Sequence, residues 1–199
     1  MTERVYIFKR FERFWHWTQA ATILFLLLTG FEVHGAYKLF GFAQAVNLHT
    51  IAAWTLITLW VFAVFWHFTT GEWRQYIPTL DKVGAMIKYY LTGIFTDAPH
   101  PFRATTLTKH NPLQRLAYLF LWLGITPIIW FSGWFYLFYG QWRDWGVEGF
   151  LSLEWVAFFH VLGAYMILVF VIAHVYLITA GRTPTSHLKA MITGWEETH

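Results

Sequence analysis

Trp155–Gly181 reads WVAFFHVLGAYMILVFVIAHVYLITAG, 27 residues without one Asp, Glu, Lys or Arg. A helix needs about 20 mainly apolar residues to cross the hydrocarbon core of a bilayer. In lipid the backbone has to satisfy its own hydrogen bonds, so a run of this length is helical. Two histidines interrupt it, His160 and His174. An ionisable side chain inside a span is costly and usually has a task. Their separation places them about 21 Å apart along the axis and within about 40° of one face. One helix therefore offers imidazoles at two depths.

Working outward, the other long uncharged runs are Phe14–Phe31 (18 residues), Leu39–Gly71 (33) and Leu116–Trp142 (27). Together they predict an all-α integral membrane protein, a four-transmembrane-helix bundle forming one domain over 1–199. The spans are expected at about 13–33, 46–70, 113–140 and 153–181. The first run has too long an apolar core, and no small-residue cleavage site, for a signal peptide, so it reads as a retained span. Arg4, Lys9, Arg10 and Arg13 precede it. Six more Lys and Arg lie between spans two and three, and Arg182 and Lys189 follow span four. The opposite loops hold only Lys38 and Arg143. Positive charge stays inside, which puts both termini and the 71–112 loop in the cytoplasm of a bacterial inner membrane protein. Within that loop Leu80, Val83, Ile87, Tyr90, Leu91 and Ile94 recur at helical spacing. They predict a helix that lies in the interface or packs beneath the bundle.

Composition narrows the chemistry. Hydrophobic residues make up 57% and charged ones 13%, with 10 His, 13 Trp and no Cys. Thioether-linked c-type haem, thiolate-held iron–sulfur clusters and cysteine zinc sites all need thiols and are excluded. The net charge of +3 is mostly a topology signal, so a nucleic-acid partner is not expected.

His16, His49 and His67 also fall in the uncharged runs. Neutral imidazole is the usual axial ligand of haem, and haem is largely apolar. Zinc or di-iron sites would want ligands a turn apart with carboxylates, and neither H-x-x-H nor H-x-x-x-H occurs. Two haems at two depths each need a second imidazole. His49 and His67 are about 27 Å apart on span two, a poor match to 21 Å on span four, so one partner has to come from span one. The spacing pairs His16 with His174 for an inner haem and His49 with His160 for an outer one, with His67 in reserve for His16. Gly30 and Gly163 are candidate haem contacts; close helix packing would account for both equally well.

The residues resemble the di-haem cytochrome b subunits of respiratory formate dehydrogenases, nickel–iron hydrogenases and thiosulfate reductases. The resemblance rests on Phe11-Glu12-Arg13-Phe14-Trp15-His16-Trp17, on Asn47-Leu48-His49, and on the run from Phe159-His160-Val161-Leu162-Gly163 through Ala173-His174-Val175-Tyr176. It implies two non-covalent b haems with the same ligand pairs. It also implies a quinone, menaquinone or ubiquinone, bound beside the inner haem at Asn111, Gln114 and Arg115. The implied partners are an extracytoplasmic iron–sulfur or multihaem redox subunit and its catalytic subunit. Asn111-Pro112 is equally a good helix start. Arg13, Arg115, Arg182, Lys38 and Arg143 are candidates for haem propionates. A second resemblance is to stand-alone, four-span, superoxide-oxidising b cytochromes that reduce quinone; a His-lined channel is the remaining reading.

Overall fold

The computed structural model describes residues 3–96, 98–179, 181 and 183–198. Arg182 lies outside the described residues. Helices α1 (Arg10–Val33) and α2 (Phe42–Thr70) form one antiparallel hairpin. A second is made by α4 (Pro112–Phe120) and α5 (Thr126–Leu137), which run on through a π-helical turn at Leu121–Ile125, and by α6 (Leu153–Ile178). The short helices α3 (Val83–Leu91) and α7 (Ser186–Thr193) lie at the end that also holds strands β1 (Glu3–Tyr6) and β2 (Trp195–Thr198). That end is called inner below.

Among the described residues three helical stretches, Phe42–Thr70, Pro112–Leu137 and Leu153–Ile178, are long and apolar enough to cross a membrane. The first helix is of similar length, 24 residues, but it carries Arg10, Glu12 and Arg13 at one end and Glu32 at the other. Four predicted ends move: the first helix starts at Arg10 rather than 13, and the second at Phe42 rather than 46. The third stretch stops at Leu137 rather than 140, where the chain tightens into a 3-10 turn at Tyr139–Gln141, and the fourth stops at Ile178. The helix expected in the 71–112 loop forms over Val83–Leu91. It buries Met86 against the bundle while Ile87 and Leu91 stay exposed. Pro127 has no N–H to give the preceding turn, and the π-helical register just before it accommodates that loss.

Local chemistry fixes each end. At the outer loop a single oxygen of Glu32, Oε1, accepts the backbone N–H groups of Leu39, Phe40 and Gly41, each at 2.7 Å. A carboxylate placed there suits the positive end of α2. At the inner end β1 pairs antiparallel with β2, Tyr6 opposite Trp195. Gly194 turns into β2 with φ of +89°, and a Cβ there would stand 2.5 Å from the Tyr6 ring and 2.7 Å from the Phe8 carbonyl. Only glycine fits. Between the hairpins Trp60 lies against Trp122 and Trp130, with centroids 4.3 and 5.4 Å apart, and its indole N–H donates to Gln19 at 3.0 Å. Outward faces such as Phe62, Phe65, Val169 and Ile172 are exposed apolar surface of the kind lipid covers.

A buried ion cluster ties three segments together at the inner end. Lys109 Nζ sits 2.8 and 2.9 Å from the two Glu12 oxygens and 2.8 Å from Glu72 Oε2, while Lys9 reaches Glu72 Oε1 at 2.5 Å. Glu12 also accepts the Lys9 backbone N–H at 2.7 Å, so it caps α1 as well. Glu12 is 5% exposed and Lys109 6%. Burial would raise the Glu72 carboxyl, but the hydrogen bonds and charges of Lys109 and Lys9 outweigh it and hold it below the usual range. Beside the cluster His110 packs between Tyr76 and Tyr118. Burial, helped by the Lys109 and Arg115 cations, pushes its imidazole down to about 3.

Two outcomes are expected. Lys109→Met leaves the buried Glu12 without its cation and Glu72 with Lys9 alone, and removing one partner of such a pair costs about 3–5 kcal/mol. The thermal midpoint in detergent should fall sharply; an unchanged midpoint contradicts the account. Both shifted groups are depressed, so the unfolded chain takes up the proton first and stability is lost on the acid side. His110 begins to cost stability as pH falls below about 6.5, by about 1.4 kcal/mol per unit, with Glu72 adding below about 4.5. His110→Phe should flatten the slope between pH 6.5 and 4.5 by about one proton's worth. An unaltered slope would show that His110 is not the group titrating.

Candidate functional site

The structure brings four of the five intramembrane histidines into two pairs, each bridging the two hairpins. The His16 ring on α1 faces the His174 ring on α6 with centroids 6.1 Å apart, and His49 on α2 faces His160 on α6 at 6.2 Å. Two imidazoles on opposite sides of one metal, with bonds of about 2 Å and about 1 Å from nitrogen to ring centre, stand about 6 Å apart. Both pairs match that spacing. No group of three or more His, Cys, Asp or Glu able to hold a metal occurs among the described residues. A metal held by either pair would therefore draw its other ligands from something besides protein. A haem macrocycle supplies four nitrogens in one plane and leaves two axial positions for imidazole, so the donor set fits haem.

The setting of the outer pair is built twice on one plan. His49 Nδ1 lies 3.0 Å from the Thr29 hydroxyl on α1, and His160 Nδ1 lies 3.0 Å from the Ser132 hydroxyl on α5. In each case the next residue is glycine. A Cβ on Gly30 would approach His49 Cε1 to 3.1 Å, and one on Gly133 would approach His160 Cε1 to 3.3 Å. Each outer imidazole is thus seated against a hydroxyl–glycine step of the neighbouring helix in its own hairpin. Tyr136 closes on the His160 ring edge-on at 5.5 Å. Of these residues the sequence singles out only Gly30; Thr29, Ser132 and Gly133 resemble any small residues of a span.

The inner pair has a different setting. His174 stacks parallel to Phe170, and His16 meets Trp17 edge-on. Trp17 in turn donates to the Met191 carbonyl of α7 at 3.2 Å, and Arg13 to that of Ile192. His67, the reserve ligand, is 8% exposed and apart from both pairs. Its Nδ1 lies 2.6 Å from the Ala63 carbonyl, and Trp15, Trp66 and Tyr76 surround the ring.

The remaining sequence candidates have structural work to do. Gly163 faces Ile128 and Ile129, where a Cβ would meet side-chain carbons at 3.1–3.4 Å; its bareness lets α5 and α6 approach. Asn111 and Gln114 form a reciprocal capping box, Oδ1 accepting from Gln114 N and Oε1 from Asn111 N, both at 2.9 Å. Asn111 Nδ2 also donates to Tyr90 at 2.9 Å. Arg115 donates to the His110 and Ile77 carbonyls at 3.0 and 3.3 Å. Arg13 and Arg115 are thereby engaged with backbone carbonyls.

Comparison with known proteins points the same way. Residues 7–194 match the family model described as prokaryotic cytochrome b561. The chain is 30% identical over 203 residues to "Putative cytochrome YdhU" of Escherichia coli (strain K12), covering 97% of this chain and 75% of that protein. It is 25% identical to proteins named "Probable Ni/Fe-hydrogenase B-type cytochrome subunit" from Cupriavidus necator and Rhodobacter capsulatus. Each match covers 86% of this chain, and 77% and 72% of those proteins respectively. No solved structure matches the chain. With the family model matching nearly its whole length, the chain belongs to the prokaryotic cytochrome b561 family of membrane b-type cytochromes.

Proposed function

We propose that the chain is the di-haem membrane subunit of a respiratory complex. It passes electrons across the bacterial cytoplasmic membrane between an extracytoplasmic redox subunit, with its catalytic partner, and the quinone pool. The observation that carries this reading is the pair of imidazole couples, each at the spacing of a bis-histidine metal and each spanning the two hairpins. His16 and His174 would hold the inner haem b, His49 and His160 the outer. Bound there, haem supplies a one-electron carrier. The chain's own residues hold the ligands at two depths on α6, keep the surroundings apolar and exclude water with their Trp and Phe side chains.

Four crossings and cytoplasmic termini belong to this proposal. The pairing of β1 with β2 supports them, because two strands side by side require an even number of crossings between them. Three helices qualify by length and apolarity, and α1 completes an even set. The excess of Lys and Arg at the inner end gives that end the cytoplasmic side.

The quinone, menaquinone or ubiquinone, is placed on the cytoplasmic side near the inner haem and the Asn111–Arg115 segment. Asn111 is committed to capping and to Tyr90. The amide group of Gln114 left over from the box, Nε2, is therefore the better donor to a quinone carbonyl. The hydrogenase cytochromes among the relatives favour a docked subunit over the stand-alone superoxide:quinone reading.

Purified chain should contain about two extractable b haems. His160→Ala should lose the outer haem and His16→Ala the inner one, read by pyridine haemochrome and optical spectra. A colourless protein overturns the function. Loss of a haem in His67→Ala but not in His16→Ala overturns the pairing.

A further inference from the structure

The two hydroxyls beside the outer imidazoles have their single protons already committed. Thr29 Oγ1 donates to the Phe25 carbonyl at 2.9 Å, with Leu26 at 3.3 Å. Ser132 Oγ donates to Ile128 at 2.5 Å, with Ile129 at 3.3 Å. A hydroxyl has one hydrogen and two lone pairs. With that proton given to the backbone, each oxygen is left to accept from the ring nitrogen 3.0 Å away, an arrangement that assigns the proton to Nδ1 of both His49 and His160. That tautomer leaves both Nε2 lone pairs free for a metal.

We propose that Thr29 and Ser132 are positioning residues for the outer centre, fixing the ligand tautomer and holding its reduction potential below that of the inner centre. The proposal rests on the haem reading above. A hydrogen bond from the far nitrogen makes a ligating imidazole a stronger donor, and a stronger donor favours the ferric state. Both outer ligands carry such a bond. His16 Nδ1, in contrast, is buried without an acceptor among the described residues, and His174 is held by stacking on Phe170. Gly30 and Gly133 add orientation, since the outer ring edges lie flat against the main chain. The same plan on two unrelated stretches of sequence, one per hairpin, argues for a shared purpose rather than chance helix solvation.

The test is an optical redox titration of the full haem-loaded chain, with the wave missing in His160→Ala taken as the outer one. Thr29→Val and Ser132→Ala should each raise the outer potential while leaving the inner wave in place. The expected size is about a tenfold change in the ferrous-to-ferric ratio at fixed ambient potential, about 59 mV for one electron. Thr29→Ser, which keeps the hydroxyl, should behave as the parent. The low-spin ferric EPR signal of the outer centre should move in the two deletion variants only. Because the hydroxyls lie on different hairpins, a folding defect in one variant leaves the other to decide. Two bound haems with an unmoved outer wave, or equal movement of both waves, overturns this inference alone. A parent chain that binds no haem overturns it together with the function.

Discussion

Two imidazoles can hold one haem iron from its two faces only when their rings stand about 6 Å apart, and among the described residues no single hairpin supplies such a couple. His16 and His49 belong to the α1–α2 hairpin, and His160 and His174 both belong to α6. Within each hairpin the long helices pack directly, α1 on α2 and α5 on α6. Between hairpins the contacts are few, concentrated at Trp60 with Trp122 and Trp130, and at Phe31 with Tyr165. Lipid gives no hydrophobic drive for helices to associate. The histidine couples are therefore where the relation between the hairpins acquires a functional meaning. The depth of each couple follows from the 14-residue spacing on α6.

The two ends of the bundle meet the cost of polar groups differently. At the outer end polarity is kept local: one Glu32 oxygen gathers three backbone amides, and single hydroxyls meet single imidazoles. At the inner end charges are pooled, two lysines against two glutamates, and the chain ends are pinned by a strand pair. A buried charge is tolerable when it is paired and hydrogen-bonded. Lys109 satisfies that with three carboxylate contacts. The result is a rigid floor beneath His16, four residues along α1 from Glu12.

Much of this was legible in the residues because membrane spans announce themselves. Charge-free runs located the helices to within a few residues, and helical spacing alone brought His160 and His174 to one face. The structure also brings the rings of His16 and His174, and of His49 and His160, side by side; their role as ligands belongs to the proposed function. What was not legible depends on contacts between distant residues. Glu12 and Lys109 are 97 positions apart, and nothing in either neighbourhood marks them as partners. Thr29 and Ser132 were invisible for a different reason. Hydroxyl residues in apolar helices commonly bond back to their own helix, and only rotational register shows which ones also meet an imidazole. Gly163 shows the limit from the other side, since a small residue near a ligand served helix packing instead.

Axial ligation is the most direct test of the central claim. Near-infrared magnetic circular dichroism and low-temperature EPR on the purified, oxidised full chain report which side chains hold the irons. The account predicts two low-spin ferric centres with bis-imidazole ligation, one vanishing in His16→Ala and the other in His49→Ala. A single centre, a high-spin iron in the parent, or both signals surviving either substitution would contradict it.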